Sequence, residues 1–315
     1  MLSPGTLTVD RGSVARMLWV PITVFAAFAQ TIRNAAQRHL VTDLGTLGAT
    51  LVRFLYGLPF AALWLAIVAA VTQADFATPP LTFVAWCLLG GLAQIAATAL
   101  LLRTMRERNF AVGVAYSKTE VVQVALFSFV LLGDRLTVAS AFAVASGTMG
   151  VLLLAPADRE RPFASLVAGL TSRSAVLGIG SGAGFALSAV AYRAATQIAG
   201  TPSWLLNAAL TVVVAQLLQT LMLGGWLWWR SRDVVVRTLR AWRVSLFAGC
   251  MGAAASAAWF AAFAIQSVAY VRTVGLCEML FSYVVSRRFF RERLSRREVA
   301  GMVLIVAGVV IITLA

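Results

Sequence analysis

Two glutamates stand where a carboxylate is expensive. Glu120 and Glu278 lie near the middle of long apolar runs, whereas the rest of the chain's 12 acidic residues fall in loops, tails or at the ends of runs. A charged side chain at bilayer depth costs at least about 2.5–3.5 kcal/mol on insertion scales, so such a residue usually faces the protein interior and has a partner. Burial penalises the charged carboxylate, and a neighbouring cation opposes that penalty. A carboxyl group balanced between the two could bind a cation, a substrate amine or a proton. It could then exchange a proton for a cationic solute. The plainer alternative is a buried ion pair or hydrogen bond that fixes helix packing.

Few basic groups are available as partners. Lys118 is the only lysine and precedes Glu120 by two residues. In an unbroken helix that offset is about 200°, so the two side chains need not share a face. Arg53 sits about a third of the way into the second apolar run and reads as a cavity residue or a partner of Glu120. Arg272 lies a turn or so into the ninth run and reads as snorkelling to the interface. Tyr56, Gln94, Tyr116, Gln123, Trp259 and Tyr283 lie at similar depth and could complete a pocket, which needs a few polar groups on an apolar wall. Histidine is present once, as His39, and Cys87, Cys250 and Cys277 are far apart. That pattern predicts no metal, no disulfide and no cofactor. No GxxxxGK[ST] loop occurs, which argues against ATP-driven pumping in cis.

The elements that hold these residues are legible from composition. The chain has 315 residues, 60% hydrophobic and 12% charged, against roughly 25% charged in soluble domains. Mean hydropathy is +0.86. These values exclude a soluble globular enzyme, a disordered chain and a disulfide scaffold, and leave an all-α membrane protein. Runs near 17–37, 45–71, 82–102, 110–132, 136–155, 174–195, 203–229, 243–265, 267–289 and 298–315 predict ten transmembrane helices. Residues 1–16 form an N-terminal tail. Arg11, Arg16 and Ala27-Phe28-Ala29 have the look of a leader sequence, but the internal repeat requires the first run as a retained span.

The net charge of +14 does not predict a nucleic-acid partner, because 25 of the 26 basic residues are arginines and most flank apolar runs. They read as topology signals and lipid-headgroup contacts. With ten spans, nineteen arginines fall on one side and four (Arg11, Arg16, Arg135 and Arg193) on the other. The arginine-rich side is then cytoplasmic and both termini are outside. Trp226, Trp228, Trp229 and Trp242 flank a span end and read as an interfacial belt.

The second half repeats the first. A shift of 158 residues places Asp134-Arg135-Leu136-Thr137 on Glu292-Arg293-Leu294-Ser295, Gly91 on Gly249, Thr98 on Ser256 and Glu120 on Glu278. A shift of 160 places Arg33 on Arg193. Two five-helix halves, 17–157 and 158–315, follow. Because five is odd, the second half enters the membrane inverted, a plan that puts the substrate site near the midplane between the halves. Two symmetry-related carboxylates should then face each other across a central cavity. Gly178, Gly180, Gly182 and Gly184 give two interleaved GxxxG pairs for close helix packing.

The chain resembles the EamA-type transporter family of the drug/metabolite transporter superfamily over essentially its whole length. The resemblance rests on the five-plus-five plan, on Arg53-Phe54, on Gly133-Asp134-Arg135-Leu136-Thr137, and on Arg291-Glu292-Arg293-Leu294-Ser295 followed by Gly301 and Gly308. It implies a ten-helix exporter or exchanger of small metabolites in the bacterial inner membrane. Many members carry a proline where this chain has Glu120 and Glu278. Members are also usually drawn with both termini cytoplasmic, opposite to the arginine distribution.

The expected function is therefore secondary active transport of a small metabolite or drug-like solute by alternating access. Two central carboxylates favour a cationic or zwitterionic solute and a role for protons through Glu120 and Glu278. Arg53, Lys118 and Arg272 could instead neutralise the cavity or receive an anion. The competing readings are an intramembrane enzyme, which lacks a nucleophile–base pair or ligand cluster, and a non-transporting membrane assembly subunit. Expected partners are the small-molecule substrate, protons and membrane lipid. Nothing in the sequence sets the oligomeric state.

Overall fold

The structure is a computed structural model, which describes residues 18–73, 78–121 and 171–314, together with a few single positions between 123 and 153. All regular elements among these residues are helical. Helix α1 spans Trp19–Leu55, but Gly45 has φ 71° and ψ 173°, outside helical values. The left-handed region is open to glycine because it has no Cβ. Residues 37 and 49 of a straight helix would lie about 18 Å apart along the axis. Instead the Gln37 side chain donates to the Ala49 carbonyl at 2.7 Å, so the chain doubles back at Gly45. The first arm runs to residue 44. The second continues through a turn at Tyr56–Gly57 into α2, Leu58–Thr72, with Pro59 in its first turn, where proline lacks no needed donor.

Helix α3 spans Leu81–Glu107 and packs along α5, Arg173–Ile198; α1 packs along α9, Trp242–Ile265. Between them come α6, Trp204–Gln219, a π-turn at Thr220–Gly224, and α7, Gly225–Arg230. Helix α8, Arg232–Arg240, lies where the sequence predicted only a loop. It buries Val235 and Thr238 and exposes most of its charged residues. Such an amphipathic segment is too polar to register as a span. Among the described residues five helices are long and apolar enough to cross a membrane, Trp19–Thr72 counting as one. Trp226, Trp228, Trp229 and Trp242 are all exposed.

The expected fourth and ninth spans are interrupted helices. Helix α4, Phe110–Ser117, ends at a turn through Lys118 and Thr119, and helix resumes at Glu120. Helix α10, Val268–Val274, is followed by a 3-10 turn at Gly275–Cys277, and α11, Glu278–Arg288, follows. The starts of α4 and α10, the restarts at Glu120 and Glu278, and the ends of α3 and α9 are each 158 residues apart, the spacing seen in the sequence. The Ser146 hydroxyl donates to the Leu304 carbonyl at 3.0 Å, a contact between residues separated by that same number. Helix α12, Arg296–Leu314, begins with a reciprocal cap: Ser295 N–H donates to Glu298 Oε2 at 2.8 Å and Glu298 N–H to Ser295 Oγ at 3.2 Å, satisfying two otherwise orphan donors. Apart from a few single positions such as Ser146, the expected fifth span lies outside the described residues, as does Gly133–Thr137.

The two glycine pairs face different neighbours. A Cβ on Gly178 would meet Tyr116 Cβ at 2.3 Å, and one on Gly182 would meet Thr119 Oγ1 at 2.8 Å and Glu120 N at 3.0 Å. Gly180 and Gly184 instead face Leu100, and Ala93 with Ala97, on α3. The absence of side chains at 178 and 182 lets α5 reach the backbone at the break in α4. Gly182→Ala is expected to lower stability by about 1–3 kcal/mol through overpacking. Gly225→Ala, with nothing within 4 Å, should be neutral or slightly stabilising. Thermal unfolding of both variants in detergent checks this; equal melting points would remove the packing role of Gly182.

Candidate functional site

Two breaks in apolar helices bring the chemistry together. Loss of helix at Lys118–Thr119 removes the 200° offset, so Lys118 and Glu120 meet despite being two residues apart. Lys118 Nζ lies 3.2 Å from Glu120 Oε1 and 2.5 Å from Glu278 Oε2. The carboxylates therefore do not face each other across an open cavity; both approach one ammonium. Arg272 Nη1 is 3.4 Å from Glu120 Oε1, and its guanidinium stacks over the Trp259 and Phe263 rings at 4.6 and 5.2 Å. Arg272 is 6% exposed, so it turns inward rather than snorkelling. Neighbouring carboxylate and aromatic faces offer it more than the interface would.

The first arm of α1 supplies the rest. Gln30 Nε2 donates to Glu278 Oε2 at 2.7 Å and Asn34 Nδ2 to Glu278 Oε1 at 3.2 Å. Trp259 Nε1 donates to Gln30 Oε1 at 3.0 Å, and Arg33 Nη2 to Asn34 Oδ1 at 2.6 Å. Arg53, on the second arm, donates from Nη1 to Thr98 Oγ1 at 3.0 Å. Both Arg33 and Arg53 cross α9 at Gly252, whose missing Cβ would lie 3.2 Å from Arg33 Cδ and 3.4 Å from Arg53 Cγ.

Arg33, one of the nineteen arginines expected in loops on one side, is instead fully buried within the helix. It lies close to the expected end of the first run, where an arginine reads as a topology signal. The usable signal was Gln30, Arg33, Asn34 and Gln37, spaced i, i+3, i+4 and i+7 on one face of an apolar helix.

The remaining candidates divide. Gln94 belongs to an adjoining group in which Gln219 Nε2 donates to Gln94 Oε1 at 2.8 Å and to Tyr192 Oη at 3.1 Å. Trp259 is in the cluster. Gln123 bridges the α4 break to α5 through Thr119 Oγ1 and the Ile179 carbonyl. Tyr116 packs beside the break, with its hydroxyl buried and unpartnered. Tyr56 donates to the Leu239 carbonyl at α8, away from the cluster. Tyr283 is 37% exposed on α11 and also outside it.

A narrow cavity adjoins the cluster, walled by Arg53, Arg272, Gln94, Tyr192, Trp259 and Phe263 among others, with a volume of about 10 Å³. That is room for about one water, so this conformation is closed around its charges. At one end a second set of contacts ties the helices together. Arg38 Nη2 lies 2.6 Å from Glu292 Oε1, Phe110 N–H donates to Glu292 Oε2 at 2.9 Å, and Ser286 Oγ donates to the same oxygen at 2.5 Å. Arg108 pairs with Glu298 at 3.0 Å. Among the described residues no group of three or more His, Cys, Asp or Glu is placed to hold a metal ion.

Comparison with known proteins adds the lineage. No curated protein matches. Eighteen chains of solved structures match. One, described only as the crystal structure of a protein, aligns over 95% of this chain and 97% of its own, with a TM-score of 0.58 and 17% identity; that likeness speaks for the fold alone. Residues 172–314 match the family model described as EamA-like transporter family. With its membrane-length apolar helices, the chain is a multi-pass membrane protein whose second half, from α5 to α12, is similar to the EamA-like transporter family.

Proposed function

We propose that the chain is a secondary active transporter of a small solute, working by alternating access in the bacterial inner membrane. In this reading residues 17–157 and 158–315 are two inverted five-helix repeats that rock about a fixed site. The single observation that carries it is the buried charged cluster at two matching helix breaks, 158 residues apart, beside a narrow cavity. Interrupted helices at mid-depth are the usual scaffold of transporter sites, because freed backbone groups and buried charges are tolerated only where they line a path.

The solute enters when the cavity widens on one side. Lys118 is then the residue that changes partner: it is shared by Glu120 and Glu278, and protonation of one carboxylate would leave it to the other. That exchange is the proposed route for coupling to protons. Arg53, Arg272, Gln94 and Trp259 form the wall the solute meets, while Gln123 and Tyr116 support the α4 break.

Uptake into proteoliposomes tests this. The panel should span amines, amino acids and carboxylates, each with and without a pH gradient. Glu120→Gln and Glu278→Gln are each expected to reduce gradient-driven uptake at least about tenfold. Full gradient-driven uptake by both variants would remove the carboxylates from the mechanism.

A further inference from the structure

The buried charges do not balance. Among the described residues, buried cations are Arg33, Arg53, Lys118 and Arg272, and buried anions are Glu120 and Glu278. Both carboxylates are committed: Glu120 to Lys118 and Arg272, Glu278 to Lys118, Gln30 and Asn34. The guanidinium groups are only partly so: Arg272 pairs with Glu120 and Arg33 donates from Nη2 to Asn34. Arg33 Nε and Nη1 and Arg272 Nε are buried without a hydrogen-bond partner. Arg53 uses Nη1 on Thr98, one of its five N–H donors. Arginine does not shed its proton in proteins, so this excess cannot be relieved by neutralisation. Uncompensated charge in a dry interior is costly unless paired.

The cavity beside the cluster is walled by Arg53 and Arg272 and contains no carboxylate in its lining; its other walls include Trp259, Phe260 and Phe263. Planar guanidinium forks match the two oxygens of a carboxylate.

We infer that the transported solute is an organic anion, and that a dianion with a flat apolar body fits best: two carboxylates against Arg53 and Arg272, the body against Trp259. The inference rests on the proposed transport site and narrows its substrate to a class opposite in charge to the amine that two central carboxylates suggest. It also gives Arg33 a role. With two of its three nitrogens lacking a hydrogen-bond partner and its side chain beside Arg53 at Gly252, it supplies positive potential that keeps the cavity selective for anions.

Calorimetry on the full chain in nanodiscs tests this with four probes that share a benzene ring and differ in charge: phthalate, benzoate, phenylalanine and phenethylamine. Phthalate should bind tightest, benzoate at least about tenfold more weakly, and phenethylamine without saturation. Arg53→Gln should weaken phthalate at least about tenfold, and Arg53→Lys should restore part of the loss. Tightest binding by phenylalanine or phenethylamine overturns the anion assignment while leaving the transport site standing. So does a lack of saturable phthalate binding. Phthalate binding unaffected by Arg53→Gln, in a protein that melts like the wild type, overturns the assignment of Arg53. Failure of the transport reading appears separately, as gradient-driven uptake indifferent to Glu120→Gln and Glu278→Gln.

Discussion

Lys118→Met is expected to destabilise the protein by about 3–5 kcal/mol and to abolish coupled transport, the largest effect of any single substitution in this chain. Removing one member of a buried ion pair leaves its partner charged and desolvated. Here one ammonium serves two carboxylates, at 3.2 and 2.5 Å. The two losses are unequal. Glu120 keeps an ion pair with Arg272 at 3.4 Å, whereas Glu278 keeps direct hydrogen bonds from the neutral amides of Gln30 and Asn34 alone, with Arg33 acting on it through the field. The double variant Lys118→Met/Glu278→Gln should therefore recover much of the lost stability, since the stranded charge is gone. It should not recover transport, since the exchangeable cation is gone too. Thermal unfolding in detergent and proteoliposome uptake separate these outcomes. A Lys118→Met protein that melts within about 0.5 kcal/mol of the wild type would show that the ammonium contributes little net stability and that the cluster stays wet.

Glu292→Ala is the second large effect, and it acts on motion. One carboxylate, 14% exposed in its side chain, joins Arg38 on α1, the first amide of α4 and Ser286 on α11. Arg38 also lies over the Phe290 ring at 4.3 Å, and Phe290 stacks on Phe110. Charge-assisted hydrogen bonds of this kind contribute about 1.5–3 kcal/mol each when a charged partner is involved. Losing them should free the start of α4 from the α11–α12 connection. If the site opens by parting these helices, the variant should populate an open state in which residues 108–116 and 284–292 exchange amide hydrogens faster. The α5 segment at 173–198 should be unchanged. Hydrogen–deuterium exchange mass spectrometry reads both. Unchanged exchange at 108–116 would mean that Glu292 caps Phe110 without holding the helices closed. The sequence motif Glu292-Arg293-Leu294-Ser295 thereby acquires a physical reading: its acid fastens α4, and its serine caps α12 with Glu298.

Much of this was readable along the chain. Hydropathy located the long helices because water-free surroundings demand about 20 apolar residues per crossing. The unusual depth of Glu120 and Glu278 marked them, because carboxylates are rare there. The spacing of Gly178 to Gly184 announced close packing, though not that the two pairs serve different helices. Three features escaped. Arg33 was hidden because an arginine so near the expected end of the first run reads as a topology signal. The hairpin at Gly45 depends on a backbone value that only packing reveals. The inward turn of Arg272 depends on Trp259 and Glu120, residues distant in sequence.

Composition and periodicity report on solvent, one residue at a time. They determined that this chain carries membrane-length apolar helices, that two acids lie within apolar runs, and that a spacing of 158 residues relates them. Pairing is a property of three-dimensional neighbours. Only the tertiary structure decided that both acids share Lys118, that the helices break beside them, and that four buried cations meet two carboxylates. In a medium of low dielectric, the partner across the gap sets the energy of a charge, and no linear pattern names that partner.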